Sequence, residues 1–254
     1  MLACAVALLV LPSSSVSAAP AAPAAAPAEA RARETLDRVD DLFRGKASHG
    51  KMTMKVVTAH FRRELTLEQW SRGKDQALVR ILEPQKERGT ATLKSGPDIW
   101  SWLPKVQRVV KVSASMMGDA WMGSHFTNDD LVRQTRMADD FSAAVSFEGQ
   151  RGGEAITEFT LTPRPEAAVV WGRLEVEVRG DGMPTSIRYY DEELKLARTL
   201  GFSDYQTLGG KRLPAKLTVV PEGKPGESTE VLYRDLEFDV VVEAGFFSLR
   251  TLQK

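Results

Sequence analysis

Residues 76–112 read QALVRILEPQKERGTATLKSGPDIWSWLPKVQRVVKV, and this stretch decides the fold class. Apolar and polar residues alternate within short runs, a pattern typical of strands that bury one face. Turn residues separate the runs, among them Glu83-Pro84 and Gly96-Pro97-Asp98. The pattern predicts four antiparallel strands joined by hairpins, at residues 76–82, 89–94, 98–103 and 106–112.

The same alternation continues on both sides of this stretch. It predicts strands at 52–58 and 64–71 before it, and at 141–148, 154–162, 173–179, 185–190, 195–202, 216–220, 229–238 and 246–249 after it. An antiparallel sheet of about a dozen strands has to curl or close. We therefore predict a mainly β protein with a single curved antiparallel sheet that forms a half-open barrel.

Two segments break the strand pattern and predict helices. Residues 29–44 place Ala32, Leu36, Val39 and Phe43 on one helical face, which predicts an amphipathic N-terminal helix. In the middle of the chain, Thr127-Asn128-Asp129-Asp130 is typical of a helix N-terminus, with a cap followed by acidic residues. We expect a short helix at 128–136, within a helical lid insertion that crosses the concave side of the sheet.

Composition excludes several classes of protein. The chain has 254 residues, with 34 Lys and Arg against 34 Asp and Glu, so it lacks the basic excess that nucleic-acid binding requires. A single cysteine, Cys4, rules out an internal disulfide, and His49, His60 and His125 are scattered rather than set at metal-ligand spacing. We expect neither a metal nor a cofactor.

The N-terminus predicts export. Residues 1–19 combine an apolar run with the small-residue stretch Val16-Ser17-Ala18, as in a cleaved signal peptide. The apolar run follows Cys4 instead of preceding it, which argues against a lipoprotein signal. Residues 20–30 are an Ala/Pro-rich linker, which leaves 31–254 as one domain. The expected location is the periplasm.

Sequence motifs do not indicate an enzyme. Ser124 and His125 are neighbours, but the nucleophile motif G-x-S-x-G is absent. The acid pairs Asp129-Asp130 and Asp139-Asp140 fit capping and solvation better than acid–base catalysis. An envelope hydrolase would require Ser124, His125 and an acid to converge in space.

Aromatic and methionine residues concentrate between residues 70 and 126. Trp100 and Trp102 are two residues apart and so share one face of a strand. Ordinary core packing and a lipid-binding cavity both account for the cluster, because methionine adapts to gaps in a core as well as to variable apolar ligands. The candidate cavity residues are Trp70, Trp100, Trp102, Met116, Met117, Trp121, Met122 and Phe126.

Residues 70–131 resemble the LolA-like outer membrane lipoprotein-sorting family, in its broad branch rather than in the dedicated carrier. The resemblance rests on Ile81-Leu82-Glu83-Pro84, Gly89-Thr90-Ala91, the run from Ile99 to Val109 and the run from Met122 to Leu131. Weaker similarity extends through Leu161-Thr162-Pro163 and Lys211-Arg212-Leu213-Pro214 and gives a total of about 220 residues.

The resemblance implies a half-open barrel with a helical lid over an apolar cavity for acyl chains. It also implies lipoprotein or lipid cargo, an inner-membrane transporter and an outer-membrane acceptor as partners. A strand-borne arginine of the dedicated carrier couples to lid opening, and the nearest position here is Arg72; a surface arginine in a turn is the alternative.

Two functions remain open at this point. The first is a periplasmic carrier or chaperone that moves acyl chains toward the outer membrane. The second is a non-transporting envelope module, such as a sensor or an accessory subunit of a transporter, whose barrel is filled by its own side chains.

Overall fold

Thirteen antiparallel strands form one sheet in the computed structural model, which describes residues 25–133, 137–167 and 169–254. The strands are β1 (Ala47–Val57), β2 (Arg62–Arg72), β3 (Gln76–Glu83), β4 (Ala91–Ser95), β5 (Asp98–Leu103), β6 (Arg108–Lys111), β7 (Phe141–Arg151), β8 (Glu154–Pro163), β9 (Arg173–Arg179), β10 (Pro184–Tyr190), β11 (Leu196–Leu208), β12 (Lys211–Pro221) and β13 (Ser228–Phe238). The predicted fold class is confirmed.

The sheet consists of two meanders that meet in its centre. Strands β1 to β6 and strands β7 to β13 each follow chain order, and β1 pairs with β13 between them. The outer strands are β6 and β7, which do not pair with each other in the described part of the chain. The sheet is therefore an open half-barrel.

Strand alternation sorts the side chains between the two faces of the sheet. On β1 and β2 the buried residues Met52, Met54, Leu65 and Leu67 belong to the main core, which lies on the concave face. Gly50 allows β13 to approach β1 closely, since a Cβ at this position would lie 2.5 Å from the carbonyl oxygen of Asp235. This contact adjoins a register shift between Lys51 and Met52.

Helices cover the concave face. Helix α1 (Ala25–Asp41) buries Ala32, Leu36 and Val39 in the main core, as its amphipathic pattern predicted. It begins at Ala25, inside the predicted linker; residues 1–24, with the predicted signal peptide, lie outside the described residues. None of the described helices is both long and apolar enough to cross a bilayer.

Residues 112–140 connect the two outer strands, and we call them the lid segment. It contains α2 (Asn128–Arg133) and α3 (Met137–Asp140), while residues 134–136 lie outside the described residues. Its side chains Trp121, Phe126 and Met137 pack into the main core, so the lid segment crosses the concave face as expected.

The C-terminal tail corrects one prediction. Residues 246–249 do not form a strand: Ser248 caps a short helix, α4 (Leu249–Leu252), by accepting a hydrogen bond from the amide of Thr251. The tail buries Phe247 and Leu252 in a second cluster, together with Leu78 and Leu93. Alternation places these strand residues opposite the main core, so the tail covers the convex face.

Candidate functional site

A cavity of about 190 Å³ lies between the concave face, α1 and the lid segment. The sheet contributes most of its apolar wall, including Met52, Val79, Leu174, Ile187, Leu200, Phe202, Leu217 and Val231. The lid segment contributes Trp121, Phe126, Leu131 and Met137. The cavity is a space that an apolar chain could fill.

One part of the cavity wall is polar. Asp40, Arg44 and Lys94 line it close to the turn between β2 and β3, where Arg44 and Lys94 both donate to the carbonyl oxygen of Lys74. Gln69 also lines the wall here. An apolar ligand with one polar group would therefore match the wall better than a pure hydrocarbon.

Asp40 is an unusual group in this wall. Its side chain is buried, and neither carboxylate oxygen has a hydrogen-bond partner among the described residues. Burial raises the pKa of Asp40 well above its ordinary value, although the charge of Lys74 and the nearby amides of Ala138 and Met137 act in the opposite direction. Asp40 can thus be neutral at a pH where an exposed aspartate is charged.

A buried ion pair joins the sheet to the lid segment. Arg198 on β11 donates to both carboxylate oxygens of Asp130 in α2, over 2.5 Å and 2.8 Å, and to the carbonyl oxygen of His125 over 2.7 Å. The Arg198 side chain is 5% exposed and the Asp130 side chain 3%. Burial disfavours the charge of Arg198, but Asp130 outweighs burial and the pKa of Arg198 is raised.

Local structure fixes both members of this pair. The Arg198 guanidinium lies over the rings of Trp171 and Tyr189, 4.6 Å and 4.2 Å from their centroids. Asp130 belongs to a reciprocal cap: it accepts from the amide of Thr127, while its own amide donates to the Thr127 hydroxyl. The N-terminus of α2 is thus held by the same carboxylate that pairs with Arg198.

Three of the eight predicted cavity residues border the cavity. Trp121 and Phe126 are buried in it, and the Trp121 indole donates to the hydroxyl of Thr92 over 3.1 Å. Trp70 also borders it, but its ring stacks on His49 and contacts Phe246 of the tail.

Trp100 and Trp102 pack in the convex cluster instead of along the cavity. Their shared strand face was predicted, and Ile99 on the opposite face packs with Val112, Met117 and Leu131. The convex cluster therefore holds the two tryptophans against the tail.

The three methionines and Arg72 also lie outside the cavity wall. Met116 is exposed, Met117 packs near Ile99, and Met122 packs at the edge of the main core. Arg72, the predicted lid-coupling residue, bonds Gln76 and lies over the ring of Phe247 in the tail. Arg72 therefore contacts the tail, whereas the strand-borne arginine that contacts the lid segment is Arg198.

The residues considered for hydrolysis are engaged elsewhere. The Ser124 hydroxyl donates to the carbonyl oxygen of Trp121, whereas His125 bonds Thr229 over 2.8 Å and Glu227 over 3.2 Å. Thr229 is completely buried, so His125 is directed toward the protein interior on that side. No group of three or more His, Cys, Asp or Glu residues suited to a metal ion occurs in the described ranges.

Comparisons with known proteins agree with this architecture. A family model described as an uncharacterized protein matches residues 73–254. No curated protein matches the chain.

Three solved structures share the fold. A DUF1329 family protein from Desulfovibrio piger has a TM-score of 0.80 at 21% identity, over 89% of this chain and 99% of that one. A domain from Vibrio parahaemolyticus, assigned as an outer membrane lipoprotein-sorting protein, has a TM-score of 0.75 at 22% identity, over 89% and 97%. A LolA superfamily protein from Nitrosomonas europaea has a TM-score of 0.73 at 19% identity, over 87% and 98%.

Proposed function

Because the chain belongs to the family of uncharacterized proteins whose model spans residues 73–254, and has a LolA-like fold, we propose that it is a periplasmic carrier of acyl chains. Its cargo would be a lipid or the acyl chains of a lipoprotein, received from an inner-membrane transporter and passed to an outer-membrane acceptor. The observation that carries the proposal is the apolar cavity beneath a lid segment pinned by Arg198 and Asp130. The assignment of the Vibrio domain as a lipoprotein-sorting protein supports it.

The energetics of acyl chains explain why such a cavity is needed. Each buried methylene contributes a transfer free energy of roughly 0.8 kcal/mol. Moving a chain of about sixteen carbons from a bilayer into water therefore costs on the order of 12 kcal/mol. A protein can carry such a chain between membranes only if an apolar wall replaces the bilayer. Leu200, Phe202 and Leu217 contribute apolar wall of this kind to the cavity.

The lid segment has to move for a complete acyl chain to bind. Ligand pockets usually enclose about 300–1,000 Å³, and the cavity here is about 190 Å³. The Arg198–Asp130 pair is a buried ion pair between the sheet and the lid segment, so its rupture would be part of the movement that admits cargo.

The small cavity also favours a second candidate function. A non-transporting envelope module, either a sensor or an accessory subunit of a transporter, would keep its core largely filled by its own side chains. Trp121, Phe126 and Met137 fill much of the concave side in this way. Binding without transfer would distinguish this module from a carrier.

Acyl binding is tested with a fluorescent palmitoyl probe and by mass spectrometry of lipids that copurify without detergent. Leu217→Trp should fill the cavity and weaken probe binding at least about tenfold, which corresponds to about 1.4 kcal/mol. Val220→Trp is the matched control, because Val220 lies on the same strand with its side chain exposed. No copurified lipid and no probe binding would refute the proposal.

Transfer is tested separately, with probe-loaded protein and acceptor vesicles. A carrier should deliver the probe faster than it dissociates into buffer that contains no acceptor. Tight binding without acceptor-dependent delivery would support the non-transporting module instead.

A further inference from the structure

Three turns form a continuous ridge at one end of the sheet. They are residues 58–61, 84–90 and 104–107, which follow β1, β3 and β5 and therefore lie at the same end of the meander. Arg63, beside the first turn, forms an ion pair with Glu87 in the second. A Cβ on Gly89 in the second turn would lie 3.8 Å from Pro104 in the third. We call these turns and the strand residues next to them the basic ridge.

Apolar side chains project from the basic ridge into solvent. Phe61 is 40% exposed, Leu103 39% and Val106 59%. Only eight large hydrophobic residues are exposed in the described part of the chain, and three of them lie on this ridge. Isolated exposed apolar residues are ordinary, but a group at adjoining turn tips indicates a contact surface.

Basic side chains surround these apolar tips. Five exposed residues of the ridge make no ion pair within the described ranges: Arg62, Lys86, Arg88, Lys105 and Arg108. The turns after β10 and β12, at the same end of the sheet, are acidic, with Asp191, Glu192, Glu193, Glu222 and Glu227. A chain of zero net charge thus concentrates positive charge on one half of this end.

We propose that the basic ridge docks on an anionic lipid surface. Phe61, Leu103 and Val106 would enter the interfacial layer, and the unpaired cations would face acidic headgroups. Apolar tips flanked by Lys and Arg suit a bilayer interface, where apolar burial and attraction to anionic lipid act together. An acidic protein partner would need an apolar pocket for each of these side chains, whereas a bilayer interface accommodates them without one.

The basic ridge also contacts the lid segment. Arg63 pairs with Glu87 of the ridge and donates to the carbonyl oxygen of Met122 over 3.0 Å. A Cβ on Gly123 would lie 3.8 Å from the ring of Phe61. Docking would therefore bring the lipid surface close to Met122 and Gly123, the residues next to Trp121 of the cavity wall.

Vesicle flotation of the full chain tests the proposal without any cargo. The protein should float with phosphatidylcholine vesicles that contain phosphatidylglycerol, bind at least about tenfold more weakly to phosphatidylcholine alone, and detach as salt rises. Absence from both vesicle types at low salt, or equal binding to both, would overturn the proposal whatever the cavity binds.

Matched variants locate the contact. Val106→Asp should weaken flotation at least about fivefold. Leu194→Asp should leave it unchanged, because Leu194 is exposed to a similar degree (52%) but lies in an acidic turn at the same end of the sheet. Lys105→Glu and Lys195→Glu form the corresponding charge pair. All four residues are exposed, so the thermal midpoints should match wild type; equal loss in ridge and control variants would exclude the ridge as the docking surface.

Discussion

Arg198 of β11 donates hydrogen bonds to both carboxylate oxygens of Asp130 in the lid segment, and both side chains are buried. The two residues are 68 positions apart, and each is fixed by its own surroundings: aromatic rings on the sheet side and a helix cap on the lid side. The pair therefore ties α2 of the lid segment to β11 of the sheet.

Loss of Arg198 should destabilise the protein strongly. Arg198→Met leaves the Asp130 carboxylate buried without its cation, which typically costs about 3–5 kcal/mol, measured by urea unfolding. Arg188→Met is the matched control: Arg188 pairs with Glu158 and Glu175 at a partly exposed site, where the expected loss is at most about 1 kcal/mol. Equal losses would show that the buried pair has no special role.

Two tryptophans on opposite faces should differ in their effect on acyl binding. Trp121→Leu removes an aromatic wall of the cavity and should weaken palmitoyl-probe binding about fivefold or more, while Trp100→Leu should change it less than twofold. Fluorescence titration of both variants checks the difference. A larger effect at Trp100 would mean that cargo binds on the convex face.

The tail should contribute to stability but not to cargo binding. Phe247→Ala removes a buried ring from the convex cluster and should cost about 3–5 kcal/mol by urea unfolding. Leu249→Ala, in the exposed first turn of α4, should stay within about 0.5 kcal/mol of wild type. Probe affinity should be unchanged in both folded variants; a loss for Phe247→Ala alone would connect the tail to the cavity.

Because of Asp40, the free energy of unfolding should decrease as the pH rises toward the raised pKa of this side chain. Its pKa is raised above 3.8 by burial, so between 3.8 and that raised value the folded protein binds more protons than the unfolded chain, and the free energy of unfolding falls with increasing pH. Asp40→Asn should therefore be more stable than wild type at neutral pH, and this advantage should vanish as the pH approaches 3.8. Urea unfolding at several pH values measures it.

Asp181 provides a comparison of opposite sign. Its pKa is lowered by the hydrogen bond from Arg179, so its stabilising effect is present above the ordinary pKa and is lost as the pH falls. Asp181→Asn should be less stable than wild type at neutral pH, with the difference closing in acid. The same pH trend in both variants would contradict these assignments.

Strand positions were largely predictable because hairpin turns and two-residue alternation are local features. The tail was not, since 246–249 reads as a strand in isolation. There the outcome depends on Phe247 packing in the convex cluster, whose strand residues are distant in sequence, and on Ser248 capping the short helix that follows.

The cavity residues show the limit of a period-two pattern. Alternation correctly placed Trp100 and Trp102 on one face, but it carries no information on whether that face is concave or convex. The lid segment covers one face of the first meander and the tail covers the other. Aromatic residues are therefore buried on both faces.

The position of Arg198 in its strand indicates a buried role, although Arg198 is not among the site residues predicted from the sequence. It stands in the same alternating set as Leu196, Leu200 and Phe202, a register in which a charged residue is unexpected. A charge within an inward-facing set indicates a buried partner. Its partner Asp130 was assigned to capping and solvation; it does cap α2, but the same carboxylate is buried and pairs with Arg198.

The pairing of β1 with β13 places the first and last strands next to each other in mid-sheet, while the polypeptide between β6 and β7 spans the gap between the outer strands. A protease cut within 112–127 would therefore not release either half, because the ladder between β1 and β13 would still hold the two fragments together. The two meanders can thus be separated in sequence while they remain paired in the sheet. Its halves, produced as separate polypeptides, are suited to reassembly by complementation, with new termini where a reporter could be attached.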